Sequence, residues 1–93
     1  MIKFYSGEEK YIKAKIKPKN EIDTIVISSA LFSLTNEAGV EVDSGSNPND
    51  IAIDGLTLTI LLSPPGPGEY SLKITVTVGA ETLIEKATVL VAP

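Results

Sequence analysis

The sequence contains no cysteine, no histidine and no tryptophan. Without cysteine there is no disulfide, no thiolate nucleophile and no zinc site built on sulfur, and the redox compartment stays open. Without histidine as well, the Ser-His-Asp triad, the Cys-His pair and the usual general base are all excluded. A carboxylate pair such as Glu81 and Glu85 is still formally available, but acidic residues on a solvated strand are ordinarily only solvated, so no enzymatic activity is expected. Nothing in the sequence calls for a cofactor. Aromatic residues are also few: Phe4, Tyr5, Tyr11, Phe32 and Tyr70 are the complete set.

Long apolar runs are missing too. Lys3, Glu8, Glu9, Lys10, Lys13 and Lys15 punctuate residues 1 to 17, so no apolar stretch of signal-peptide type occurs there, and no run approaches the ~20 residues a membrane span needs. The expectation is synthesis in a cytoplasm and no membrane partner. Eight Lys plus Arg against twelve Asp plus Glu give a net charge of -4. That field opposes nonspecific attraction to phosphate backbones, which argues against a nucleic-acid partner.

What is present is short-range alternation. Tyr70, Leu72, Ile74, Val76 and Val78 alternate with Ser71, Lys73, Thr75 and Thr77, the period of a strand with one buried face. Gly79-Ala80 turns the chain into a second strand at Thr82 to Val91, with Ala87, Val89 and Val91 on its apolar face and a bulge expected near Leu83 and Ile84. Leu56 to Leu62 is a strand closed by Ser63-Pro64-Pro65-Gly66-Pro67-Gly68, which continues neither helix nor sheet. Thr24 to Thr35 is another, with Ala30, Phe32 and Leu34 on one face and an Asn36-Glu37-Ala38-Gly39 turn. Val40 to Val42 and Ile51 to Ile53 flank a run of turn-forming residues from Asp43 to Asp50, and Asp54-Gly55 closes a hairpin. Tyr11 to Lys17 alternates with Ile12, Ala14 and Ile16 inward. No helix is expected.

Six to eight short strands in 93 residues, with turn signals at short spacing, predict one all-β domain over residues 1–93, an immunoglobulin-like antiparallel β-sandwich of about seven strands. The segment Pro67-Gly68-Glu69-Tyr70-Ser71-Leu72-Lys73-Ile74-Thr75-Val76 resembles the G-x-Y-x-L-x-I/V stretch that opens the penultimate strand of many bacterial and viral immunoglobulin-like domains. That resemblance implies a structural role for Gly68 and Tyr70, the tyrosine packing its ring and bonding its hydroxyl to nearby backbone. The order of strands and turns is similar to small domains in tail and baseplate proteins of phages that infect Gram-positive bacteria, the upper-baseplate type of N-terminal domain in particular. It implies a virion structural module that contacts other virion proteins or copies of itself.

Three groups of residues are candidates for binding. Phe32 and Tyr70 belong to the expected core, which leaves Phe4, Tyr5 and Tyr11 as a contact patch near the N-terminus. Lys13, Lys15, Lys17 and Lys19 put a basic stripe on one face of the early strand, suited to an acidic partner or a polyanionic glycan, and suited equally to blocking edge-to-edge aggregation. Asp43, Ser44, Asn47, Asn49, Asp50 and Asp54 offer oxygens of the kind calcium prefers, but their spacing does not match a calcium-loop pattern and turn chemistry accounts for each of them, so no metal is assigned. The expected function is an assembly module of a phage tail, baseplate or capsid, made in the host cytoplasm, with a homo-oligomer among its expected forms; the alternative is an adhesion or glycan-binding module of a bacterial cell surface.

Overall fold

The computed structural model describes residues 2–16, 27–47, 49–79 and 81–93. They form eight strands in chain order: β1 (Ile2–Tyr5), β2 (Lys10–Lys15), β3 (Ile27–Thr35), β4 (Glu41–Ser46), β5 (Ile51–Asp54), β6 (Thr57–Leu62), β7 (Gly68–Val78) and β8 (Glu81–Ala92). There is no helix among the described residues. The strands lie in two sheets, β1-β8-β7-β3-β4 and β2-β6-β5. Placing β3, β7 and β8 in one sheet and β2, β5 and β6 in the other is the immunoglobulin-like arrangement of a sandwich.

Alternation along each strand builds the core. Tyr70, Leu72, Ile74, Val76 and Val78 of β7 are all buried, and they meet Leu58, Ile60 and Leu62 of β6 from the opposite sheet. Each fully buried aliphatic side chain contributes about 1.5–3 kcal/mol relative to exposure, so these two strands supply much of the apolar driving force. Among the described residues no polar or charged side chain is buried.

The structure differs from the sequence-based expectation at four places. β1 is an eighth strand, parallel to β8, where Ile2 pairs with Val89 and Tyr5 with Ala92. β4 runs on to Ser46, so Asp43 to Ser46 are strand and only the residues between β4 and β5 make the turn. Ladder bonds from β3 outweigh the weak strand preference of Asp, Ser and Gly there. The β7–β8 pairing is unbroken from Gly68–Val91 to Val78–Glu81, so Leu83 and Ile84 mark no bulge: Leu83 packs on the core while Ile84 faces out. Besides a register shift between Leu34 and Thr35 in the pairing with β4, β3 carries an irregularity between Ile27 and Ser29 in the pairing with β7. It lets Ile27 and Ala30 both point inward at a spacing that regular pleating forbids.

Turn chemistry sets the joints. Asn36 closes the β3–β4 connection, its Oδ1 accepting from the backbone N–H of Ala38 and of Val40, each at 3.0 Å. Gly45 packs under two neighbours: a Cβ there would meet Asp50 Cβ at 2.5 Å and Phe32 Cε1 at 2.7 Å. The glycine leaves room for the ring of Phe32, its partner on β3, against the edge strand.

Candidate contact surfaces

The expected N-terminal aromatic patch is divided by the fold. Phe4 is 2% exposed and belongs to the core, so it offers nothing to a partner. Its inward register follows from pairing with buried Val91 across the β1–β8 ladder. Tyr5 and Tyr11 are exposed at 69% and 71%, but they sit on different sheets. Tyr5 points outward beside Leu90 at the edge of the five-stranded sheet. Tyr11 shares the outer face of the three-stranded sheet with Lys13 and Lys15, all three alternating with the inward-facing Ile12 and Ala14. Lys17 and Lys19 lie outside the described residues.

A residue that sequence reasoning did not single out joins these two strands. Lys10 Nζ donates to the backbone oxygen of Lys3 at 2.8 Å and stands 4.6 Å from the centre of the Phe4 ring. Glu8 Oε1 is 3.6 Å away, and the same carboxylate accepts from the backbone N–H of Tyr5. The pair is solvent-exposed and contributes little by charge alone. Its effect is to hold β1 against β2 where the chain passes from one sheet to the other. Alternation hid this residue, because a lysine at a half-buried strand end reads as surface.

The Asp43–Asp54 segment borders a cleft of about 350 Å³, whose lining includes Tyr11, Asp43, Ser44, Asn49, Asp50 and Ser63. Its oxygens are largely engaged by the backbone. Asn47 Oδ1 accepts from Ala30 N–H at 2.9 Å, Asp43 Oδ1 from Ser44 N–H at 2.9 Å, and Asp50 Oδ2 from Ser46 N–H at 3.3 Å. No group of three acidic, histidine or cysteine side chains converges among the described residues. The segment is thus turn and strand chemistry with a polar cleft beside it.

The Glu81–Glu85 pair and the proline-rich loop have plain geometric descriptions. Glu81 and Glu85 are four residues apart on one strand, which separates their Cα atoms by about 13 Å. The paired carboxyl groups of glycoside-cleaving sites stand about 5–9.5 Å apart. In the Pro64–Gly68 loop, Pro64 is buried and the Gly66 carbonyl oxygen accepts from the Tyr70 hydroxyl at 2.8 Å. Tyr70 is 7% exposed, and Gly68 begins its strand at φ 141, a backbone angle that favours glycine. These residues hold the loop across the end of the sandwich.

No family model and no curated protein matches the chain. Among solved structures, CopC from Methylosinus trichosporium OB3b superposes with a TM-score of 0.69 at 17% identity, over 99% of this chain and 83% of that one. The shared property is the fold. Domains 3–5 of the extracellular part of Drosophila OTK align over 97% of this chain and 30% of that one, at 9% identity and a TM-score of 0.37.

Proposed function

We propose that the chain is a non-catalytic contact module that works through its sheet faces and edges against other proteins or copies of itself. The observation that carries this reading is on the outer face of the five-stranded sheet. There Ile84, Thr75 and Leu31 stand in one cross-strand row, with Ile84 52% and Leu31 49% exposed. The next row sets Lys73 directly opposite Lys86. Like charges placed opposite each other cost stability within a sheet, so the pair has its use in a partner that brings carboxylates. An apolar strip beside a basic pair is the composition of a contact surface with a polar rim. The setting proposed for it is a phage tail, baseplate or capsid, to which the strand-and-turn order is similar.

Solution mass by light scattering over a concentration series tests the self-contact form of this reading. A defined oligomer that dissociates on Leu31→Ser and Ile84→Ser substitution is expected. A strict monomer that also fails to capture any virion protein overturns it.

A second reading, a glycan-binding module, has one observation in its favour. In the cleft beside Tyr11 an aromatic wall stands near the carboxylates of Asp43 and Asp50, the amide of Asn49 and the Ser63 hydroxyl. Convergent polar groups on an apolar wall suit a polyhydroxyl ligand. A glycan array probed with the protein and with its Tyr11→Ala variant decides it: binding lost in the variant supports this reading, and an array without signal removes it.

A further inference from the structure

The edge of β2 differs in character from the outer face of the five-stranded sheet. Among the described residues β2 is paired on one side only, antiparallel to β6 from Lys10–Leu62 to Lys15–Thr57. Beside it, between the two sheets, opens a cleft of about 190 Å³ floored by Ile2, Ile12, Leu72 and Ala87, whose charged lining is Lys13, Lys15 and Lys86 against the one carboxylate of Glu85. We propose that this edge takes up an extended acidic segment of a partner protein as an added strand. The inference deepens the contact-module reading by naming a partner chemistry, and it rests on an edge that includes neither Leu31 nor Ile84, with Lys86 standing between the two surfaces.

Three features converge on that occupant. An unpaired strand edge presents backbone N–H and C=O groups that an extended peptide satisfies by β-augmentation. Side chains of an added strand alternate, so those next to Ile12 and Ala14 turn into the cleft while those next to Lys13 and Lys15 turn outward. The cleft takes aliphatic side chains and the lysines take carboxylates, which defines a segment with acidic and aliphatic residues in alternation. Self-pairing is disfavoured by the same lysines. Of the two antiparallel β2–β2 registers that keep the inward faces together with the most overlap, the one centred on Lys13 sets Lys13 against Lys13 of the second copy, and like charges directly opposite are destabilising; the one centred on Ile12 sets Lys13 against Tyr11 and neutralises no lysine. An acidic strand neutralises these lysines in either register, which a second copy of this edge does in neither.

The probe is a synthetic peptide of seven residues alternating Glu and Val, titrated into the isotope-labelled protein at low salt and followed by amide chemical shifts. Shift changes confined to β2 and its neighbours are expected, with affinity falling as salt rises. In a Lys13→Glu, Lys15→Glu variant, whose two positions are exposed on β2, the peptide is expected to bind at least about tenfold more weakly. The variant is expected to prefer a peptide alternating Lys and Val. N-methylation of the central Val, which removes one backbone donor, is expected to weaken binding to the unsubstituted protein. No shift change at millimolar peptide, or equal binding by the charge-reversed variant with its fold intact by circular dichroism, overturns the inference. Self-association through Leu31 and Ile84 is read in the absence of peptide, so failure of one proposal is distinguishable from failure of the other.

Discussion

The Tyr70 hydroxyl donates to the carbonyl oxygen of Gly66, four residues earlier, at 2.8 Å. One side chain thereby fastens the proline-rich loop to the strand that follows it, while its ring fills the core beneath. Replacing Tyr70 with Phe keeps the ring and deletes the bond. The expected cost is about 1 kcal/mol, which lowers the melting temperature by about 4–8 °C in a domain of this size. Thermal unfolding of the Tyr70→Phe variant checks it, and an unchanged midpoint shows that the bond contributes nothing.

Two glycines give opposite expectations. A Cβ on Gly45 collides with Phe32 and Asp50, whereas one on Gly66 meets nothing within 4 Å. Gly45→Ala is expected to destabilise by about 1–3 kcal/mol through forced repacking. Gly66→Ala, by reducing the freedom of the unfolded chain, is expected to be neutral or to stabilise by up to about 1 kcal/mol. Urea midpoints for the two variants, measured side by side, separate a steric requirement from a general intolerance of change.

Adjacent aromatics on β1 differ as sharply. Phe4 is 2% exposed and Tyr5 69%. Phe4→Ala is expected to cost about 3–5 kcal/mol by opening a cavity, and Tyr5→Ala to stay within about 0.5 kcal/mol. If denaturant unfolding finds equal losses, β1 is not seated against β8 as described.

Asn47 acts as a clamp. Its side-chain oxygen accepts from Ala30 N–H, and its own N–H donates to Ala30 oxygen at 3.1 Å. Asn47→Ala leaves a part-buried backbone donor without that acceptor, an expected loss of about 1–3 kcal/mol. Asn49→Ala, at an exposed position of the same turn, is expected to change stability by less than about 0.5 kcal/mol. Faster hydrogen exchange at the Ala30 amide in the first variant alone identifies the clamp as the cause.

The strands that were legible are those whose pattern is self-contained. Tyr70 to Val78 alternates without interruption, and Leu56 to Leu62 is closed by prolines, so β7 and β6 follow from local rules. β1 was not legible: four residues carry too little period, and their partners Val89 to Ala92 stand at the other end of the chain. β4 was read only as far as Val42, because Asp43-Ser44-Gly45-Ser46 is turn chemistry in isolation and becomes strand only against β3. The contact residues divide in the same way. That Lys13 and Lys15 share an outward face with Tyr11 is periodicity. That Phe4 is core, that Tyr5 belongs to another surface, and that Lys10 bonds Lys3 all depend on which sheets β1 and β2 join.

The sequence by itself determined an all-β sandwich, the alternation of its core, the chemistry of its turns, and the absence of histidine- and cysteine-based catalysis, since all of these follow from residue type and short-range spacing. The tertiary structure alone decided which strands lie at the edges, which aromatics reach solvent, and that an apolar cleft opens beside a lysine-bearing edge. These depend on pairing between segments far apart in the chain, and a period-two pattern specifies which face a residue takes without specifying which neighbour it meets.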